Sequence, residues 1–197
     1  MKLRKYAHRY KFSMDKKQLR KALKEKRKNV PLEKKVIKDK KISDTIINSE
    51  CFKNARQVLV FASTDDEFDT RYIIERCRML CKRVFYPVCL DKMGKMEFLK
   101  VDSANDLQIG TYNLLEPKQT LQKYIPKEKD LIIVPCLAAD ESKNRIGYGK
   151  GYYDRFLKDF NGVSICPCYS ELLTDSLPTD KYDVKIDIIV TDKEVIR

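Results

Sequence analysis

The sequence predicts an α/β domain, a single layer of mostly parallel sheet flanked by helices, and three observations carry that reading. Short, nearly continuous apolar runs at 57–62 (QVLVFA), 84–90 and 131–139 have the length expected of strands covered on both faces. Residues 70–82 between the first two read as a helix, and strand, helix, strand at this spacing is a βαβ unit with parallel strands. The length, 197 residues with 43% hydrophobic content, suits one buried core.

Each element follows from local pattern. Residues 1–13 (MKLRKYAHRYKFS) are basic, free of acids and without apolar periodicity, so they are expected to form a disordered extension ahead of a domain spanning 14–197. Asp15 is placed to cap a helix in which Leu19, Ala22 and Leu23 recur at helical spacing. Pro31 suits the first turn of a second helix, running through 52, whose apolar stripe is Val36, Ile37, Ile42, Ile46 and Ile47. The 57–62 strand leads through a polar loop at 63–69 into the 70–82 helix and the 84–90 strand. A turn at Lys92, Met93 and Gly94 then precedes an extended segment at 95–101. A long connection over the surface reaches a third buried strand, 130–140 (DLIIVPCLAAD). After it come a helix at 151–159, strands at 163–169 and 186–191, and a closing segment at 195–197.

Composition narrows the function. The net charge of +12 suggests nucleic acid until it is located: residues 1–41 hold 18 Lys or Arg against 4 acids, leaving 23 basic and 25 acidic residues for the rest. The excess is therefore one N-terminal segment, read as a solvated helix face or tail, with nucleic-acid binding as the rival. No apolar run approaches the roughly 20 residues that span a bilayer, and no apolar region suited to secretion follows the basic start. Seven cysteines with a single histidine, His8, and no CxxC pair fit small buried hydrophobes in a reducing compartment rather than disulfides or zinc.

The sharpest motif is NRIGYGKGYYD at 144–154, which carries three of the six glycines and stands between a buried strand and a helix. Alternate glycines let a backbone approach a ligand with its N–H groups turned inward, and Arg145 and Lys150 supply full charges, so the segment suits phosphate. It is neither a Walker A loop nor a dinucleotide fingerprint. Asp154 directly after the loop and Asp187 at the head of IDIIVT are the carboxylates that magnesium would take beside phosphate oxygens. Lys16 and Arg20, four apart on one helix face, could grip the same polyphosphate.

Together these segments resemble the 5-formyltetrahydrofolate cyclo-ligase, or methenyltetrahydrofolate synthetase, family. Its K-x-x-L-R opening is similar to Lys16-Lys17-Gln18-Leu19-Arg20, and its acidic loop before a threonine to Asp66-Glu67-Phe68-Asp69-Thr70. Its N-R-L-G-x-G-x-G-Y-Y-D resembles 144–154, and its closing pattern is met by Pro178, Asp183, Asp187 and Thr191. The resemblance implies ATP- and Mg²⁺-dependent closure of 5-formyltetrahydrofolate to 5,10-methenyltetrahydrofolate, with the formyl oxygen phosphorylated before N10 attacks. It implies ATP binding by Lys16, Lys17, Gln18, Leu19 and Arg20 and by Arg145, Ile146, Gly147, Tyr148, Gly149, Lys150, Gly151, Tyr152 and Tyr153. Lys150 and Arg145 would stabilise the transferring charge, and Asp154 and Asp187 would hold the metal. Thr64, Asp69, Tyr112, Tyr148, Gly149, Lys150, Gly151 and Tyr152 would contact the folate.

This sequence departs from the family at Asp69, commonly glutamate, at Cys136 and Lys143, commonly glycine, and at Thr64, commonly apolar. The expectation is a monomeric cytoplasmic enzyme acting on small molecules, needing neither nucleic acid nor membrane, with residues 1–13 also compatible with mitochondrial targeting. The rivals are a nucleic-acid module using the basic segment, or another ATP-dependent ligase or kinase on the same scaffold.

Overall fold

The computed structural model describes residues 15–110 and 114–197, so the 1–13 extension and Tyr112 lie outside the described residues. Helix α1 (Lys16–Lys28) opens with a capping box: Asp15 accepts from the Gln18 N–H while the Gln18 side chain accepts from the Asp15 N–H. Leu19, Leu23 and Arg27 recur every four residues and form its buried face. Helix α2 (Leu32–Asn48) follows Pro31, which stands just before the helix rather than in its first turn.

The expected stripe of α2 needs correction. Its buried face is Asp39, Ile42, Ser43 and Ile46, whereas Val36 and Ile37 are 59% and 58% exposed. They precede Ile42 by six and five residues, which places them roughly 120° to 140° round the helix from it. Ser49 ends α2 and caps α3 (Glu50–Asn54) by accepting from the Phe52 N–H at 3.3 Å, so the helix expected through 52 is broken there.

The chain then alternates as β1 (Gln57–Leu59), α4 (Arg71–Met79), β2 (Arg83–Cys89) and β3 (Met96–Lys100). A surface hairpin, β4 (Leu107–Ile109) with β5 (Leu115–Pro117), leads to β6 (Leu131–Ile133), β7 (Ala138–Asp140) and β8 (Arg145–Ile146). Helix α5 (Tyr152–Leu157), β9 (Val163–Pro167), β10 (Leu173–Thr174), β11 (Ile188–Val190) and β12 (Val195–Ile196) complete it. The main sheet has seven strands in the order β12-β11-β9-β6-β1-β2-β3. Pairing is parallel from β11 through β9, β6 and β1 to β2, and antiparallel only at the two edge strands β3 and β12. The central strands β1 and β6 are buried at every residue, which is why they read as unbroken apolar runs rather than alternating ones.

The single strand expected over 130–140 is in fact two. β6 stops before Pro135, which has no N–H to continue the ladder, and β7 joins β8 and β10 in a separate three-stranded sheet. That break directs the 144–154 segment away from the main sheet and over its carboxyl edge.

Helix α5, which follows the glycines, is held to the sheet by aromatic packing. Phe98 on β3, 1% exposed, lies 4.7 Å from the Phe156 ring and 6.4 Å, edge-on, from Tyr153. Phe98→Ala should lower the unfolding free energy by about 3–5 kcal/mol in a urea titration. A loss under about 1 kcal/mol, the size of a surface substitution, would show that α5 is held by something else.

Candidate active site

The strand order reverses at β1, with β2 on one side and β6, reached much later in the chain, on the other. In open α/β sheets the ligand crevice lies outside the carboxyl ends of the strands at such a point. A small cavity sits there. Its walls come from the tips of β1, β6 and β9: Phe61, Pro135, Cys136, Pro167 and Cys168, with Arg27 of α1 and Glu67 of the loop after β1.

Glu67 is only 7% exposed. One carboxylate oxygen accepts from the Thr64 N–H at 2.9 Å and the Thr64 hydroxyl at 3.0 Å, and the other accepts from the Tyr148 hydroxyl at 2.5 Å. Arg27, also buried, donates Nη2 to the Tyr148 oxygen at 2.8 Å and Nη1 to the Cys136 carbonyl at 3.3 Å. Burial and the Glu67 charge push the Tyr148 phenol above its ordinary value, against the opposing pull of Arg27, so it stays a neutral donor. Arg27, Glu67 and Tyr148 thus connect helix α1, the loop after β1 and the glycine segment.

The glycine segment runs from β8 into α5 with Gly149 at φ 95° and Gly151 at φ 70°, a region that L side chains rarely adopt. Arg20 lies against it: Nε donates to the Gly147 carbonyl at 3.0 Å, and a Cβ on Gly149 would stand 2.9 Å from the guanidinium carbon. The exposed middle of the loop is Tyr148, Gly149 and Lys150. Arg145 and Tyr152 are its anchors. Arg145, its side chain 4% exposed, donates to Asp154 at 2.9 Å, and the Tyr152 hydroxyl donates to the Asp91 carbonyl at 2.5 Å. Lys143, where the resembling family has glycine, takes φ 67°.

The other residues singled out from the sequence are distributed unevenly. Leu19 is in the core and the Gln18 side chain is used in the capping box, while Lys17 is exposed. Lys16 is paired with Asp180 at 2.7 Å and Asp183 at 2.5 Å. Burial opposes its charge, but those two hydrogen bonds outweigh it and raise the ammonium above its ordinary value. Ile146 is buried on β8, and Tyr153 is half-buried beside Arg145, its buried hydroxyl without a partner among the described residues. Asp69 is not among the residues that line the cavity and forms a two-pronged pair with Arg71. Burial works to raise its carboxyl, and the Arg71 bonds outweigh this and lower it. Sequence reasoning quoted Glu67 inside its motif but gave it no role, and missed Arg27 altogether. The signal for Arg27 was its position eight residues beyond Leu19 on the buried face of α1.

Asp154 and Asp187 were matched to magnesium. Asp154 uses Oδ1 for Arg145 and the Val184 N–H, leaving Oδ2 without a partner among the described residues. Asp187 stands at the amino end of β11, using Oδ2 for the Ser164 N–H and hydroxyl. Each keeps one oxygen without a partner among the described residues, but Asp187 stands at the amino end of its strand, whereas the cavity lies at the carboxyl ends of β1, β6 and β9. No group of three or more His, Cys, Asp or Glu arranged for a metal exists among the described residues.

The 5-formyltetrahydrofolate cyclo-ligase family profile matches residues 12–192. The 5-formyltetrahydrofolate cyclo-ligase of Escherichia coli K12 is 32% identical over 146 residues, covering 72% of this chain and 80% of that protein. A probable 5-formyltetrahydrofolate cyclo-ligase of Schizosaccharomyces pombe is 29% identical over 185 residues, covering 80% of this chain and 91% of its own. The structure of Aquifex aeolicus 5,10-methenyltetrahydrofolate synthetase superposes with a TM-score of 0.81 at 29% identity, covering 93% of both chains. The chain therefore belongs to the 5-formyltetrahydrofolate cyclo-ligase family and is an enzyme of that class.

Proposed function

We propose that this enzyme converts 5-formyltetrahydrofolate and ATP to 5,10-methenyltetrahydrofolate, ADP and phosphate, with Mg²⁺ at the triphosphate. The observation that supports it beyond family membership is the bond from Tyr148 to Glu67. It joins a small cavity at the sheet's carboxyl edge to a glycine loop carrying Lys150, which forms no ion pair among the described residues.

The chemistry asks for two things of such a site. A formyl oxygen leaves poorly, so it accepts the terminal phosphoryl group of ATP. N10 then attacks the activated carbon and phosphate departs, taking that oxygen. The chain has to align two substrates and stabilise charge on the moving phosphoryl group, and no protein nucleophile is required. Glu67, rather than Asp69, is placed to accept from the N–H edge of the pterin, as a buried carboxylate with one face to the cavity. Phe61 and Tyr148 would flank the ring, with Thr64 holding Glu67 in orientation.

Arg20 and Lys150 take the phosphates in this reading, together with the loop N–H groups that glycine exposes. Arg145 acts through Asp154 as a positioning residue, and Lys16 ties α1 to the 178–187 segment through Asp180 and Asp183. Magnesium, when bound, would neutralise triphosphate charge, with Asp154 and Asp187 as its protein ligands. No helix among the described residues is long and apolar enough to cross a membrane. We place the enzyme in the cytoplasm, although a similar Arabidopsis thaliana protein is named as mitochondrial.

The direct test is the absorbance of the methenyl product when purified protein meets 5-formyltetrahydrofolate and Mg-ATP. One ADP per product is expected, and no turnover at high enzyme concentration would refute the reading. Lys150 is exposed and forms no ion pair among the described residues, so Lys150→Ala should weaken ATP use by about 10- to 100-fold, the scale of one charge-assisted contact of about 1.5–3 kcal/mol. Folate binding and melting temperature should hardly move, and unchanged ATP kinetics would make this lysine a bystander. For the metal, Asp187→Asn is the cleaner probe, because its partner Ser164 is neutral, whereas Asp154→Asn strands a buried guanidinium. Asp187→Asn should raise the Mg²⁺ requirement about 10-fold or more with little loss of stability, and an unaltered magnesium titration would remove Asp187 from the site.

A further inference from the structure

The turn that joins β2 to β3 meets the end of the glycine segment, and the head group of Arg155 on α5 lies between them. The turn holds itself together. One oxygen of Asp91 accepts from the N–H groups of Met93, Gly94 and Lys95 at 2.8, 2.9 and 3.0 Å, and the Leu90 N–H closes the hairpin on the Lys95 carbonyl at 2.9 Å. Gly94 is buried although Met93 and Lys95 beside it are exposed. It takes φ 109°, which L side chains rarely adopt, and a Cβ there would overlap the Arg155 guanidinium and stand 2.8 Å from the Lys150 carbonyl oxygen. A Cβ on Gly151 would lie 2.8 Å from Nη1 of the same guanidinium. The arginine head group therefore fills space that two missing side chains leave.

From that seat Arg155 holds one carbonyl: Nη1 donates to the Lys150 oxygen at 2.8 Å. The peptide bonds of the described residues are all trans, and in a trans peptide the carbonyl and the following N–H point in opposite directions. Holding the Lys150 oxygen against Arg155 thus turns the Gly151 N–H away from it. That N–H and those of Gly149 and Lys150 reach no acceptor among the described residues, so they are free to serve an anion. The turn is kept in place against α5 by two further contacts, the Tyr152 hydroxyl on the Asp91 carbonyl and the Phe156 ring on Phe98.

We propose that Arg155 is a positioning residue for the nucleotide: seated against Gly94 of the β2–β3 turn, it fixes the peptide between Lys150 and Gly151 so that the loop offers its amide donors to phosphate in one orientation. The turn is the second half of the device, because without its glycine the guanidinium would have no seat. Arg155 acts through the Lys150 carbonyl and not by its own charge. Its effect on the reaction rests on the reading that this loop takes the phosphates of ATP, while the holding of the peptide does not.

The test uses the full chain and two variants that disturb the seat from opposite sides: Arg155→Ala removes the donor, and Gly94→Ala keeps the donor but takes its place. A lysine-specific endopeptidase cuts after Lys150 when that peptide leaves its held conformation, so the initial rate of cleavage there, mapped by mass spectrometry without nucleotide, reads the open population. Each variant should raise that rate about 5-fold or more, the scale of one lost hydrogen bond, with cleavage after lysines outside 91–159 unchanged. In turnover, the KM for ATP should rise by a similar factor while the KM for 5-formyltetrahydrofolate stays within about 2-fold, and the double variant should be little worse than the weaker single one. Unchanged cleavage after Lys150 in Arg155→Ala would overturn the proposal, and a raised KM for ATP alongside it would show the guanidinium meeting phosphate directly. Faster cleavage with unaltered ATP kinetics would overturn the part given to Arg155 in the reaction. Should either variant fold poorly, the other decides by the same readings. A folded wild-type chain that turns over no 5-formyltetrahydrofolate would count against the cyclo-ligase reading, with the cleavage rates still deciding whether Arg155 holds the loop.

Discussion

The site depends on the burial of one carboxylate. An ionised Glu67 at 7% exposure would lose several kcal/mol of solvation if left alone, so its environment has to supply donors. It receives them from its own loop, through the Thr64 N–H and hydroxyl, and from the glycine segment, through Tyr148. Arg27 adds a buried positive charge one bond further on. Each group belongs to a different part of the chain, so satisfying the carboxylate fixes the relative position of α1, the loop after β1 and the glycine segment. A neutral apolar residue at 67 would make no such demand and would leave the three free to drift.

That constraint explains how a short exposed loop can serve chemistry that relies on position. Its ends are tied down, by Arg145 to Asp154 and by Tyr152 to Asp91, and α5 behind it is packed through Phe156 on Phe98. Only the tip, from Tyr148 to Lys150, is presented to solvent. The small second sheet matters here because β7 and β8 deliver the loop from the side of the main sheet. Pro135 makes that diversion by ending β6 where a plain strand would have run on.

The parallel core was legible because strands covered on both faces must be apolar throughout, and QVLVFA and LIIV say so without tertiary information. The glycine segment was legible for a similar reason: its special backbone angles restrict residue type, and Gly149 and Gly151 do take positive φ. What escaped was orientation. Glu67 and Asp69 are two acids in one loop, yet Glu67 lines the cavity, with a turn bond from its N–H to the Thr64 carbonyl, while Asp69 is engaged by Arg71. Arg145 and Lys150 look equivalent as cations beside glycines, yet only Arg145 has Asp154 and the Tyr153 ring to bury against.

If Glu67 and Tyr148 form one working unit, removing either should forfeit most of what removing both does. The decisive measurement is a double-mutant cycle on kcat/KM for 5-formyltetrahydrofolate with Glu67→Gln, Tyr148→Phe and the pair. The account expects the double variant to be little worse than the weaker single one, a coupling of at least about 1.5 kcal/mol, as for a hydrogen bond to a buried charge. Losses that simply add, within about 0.5 kcal/mol, would contradict it.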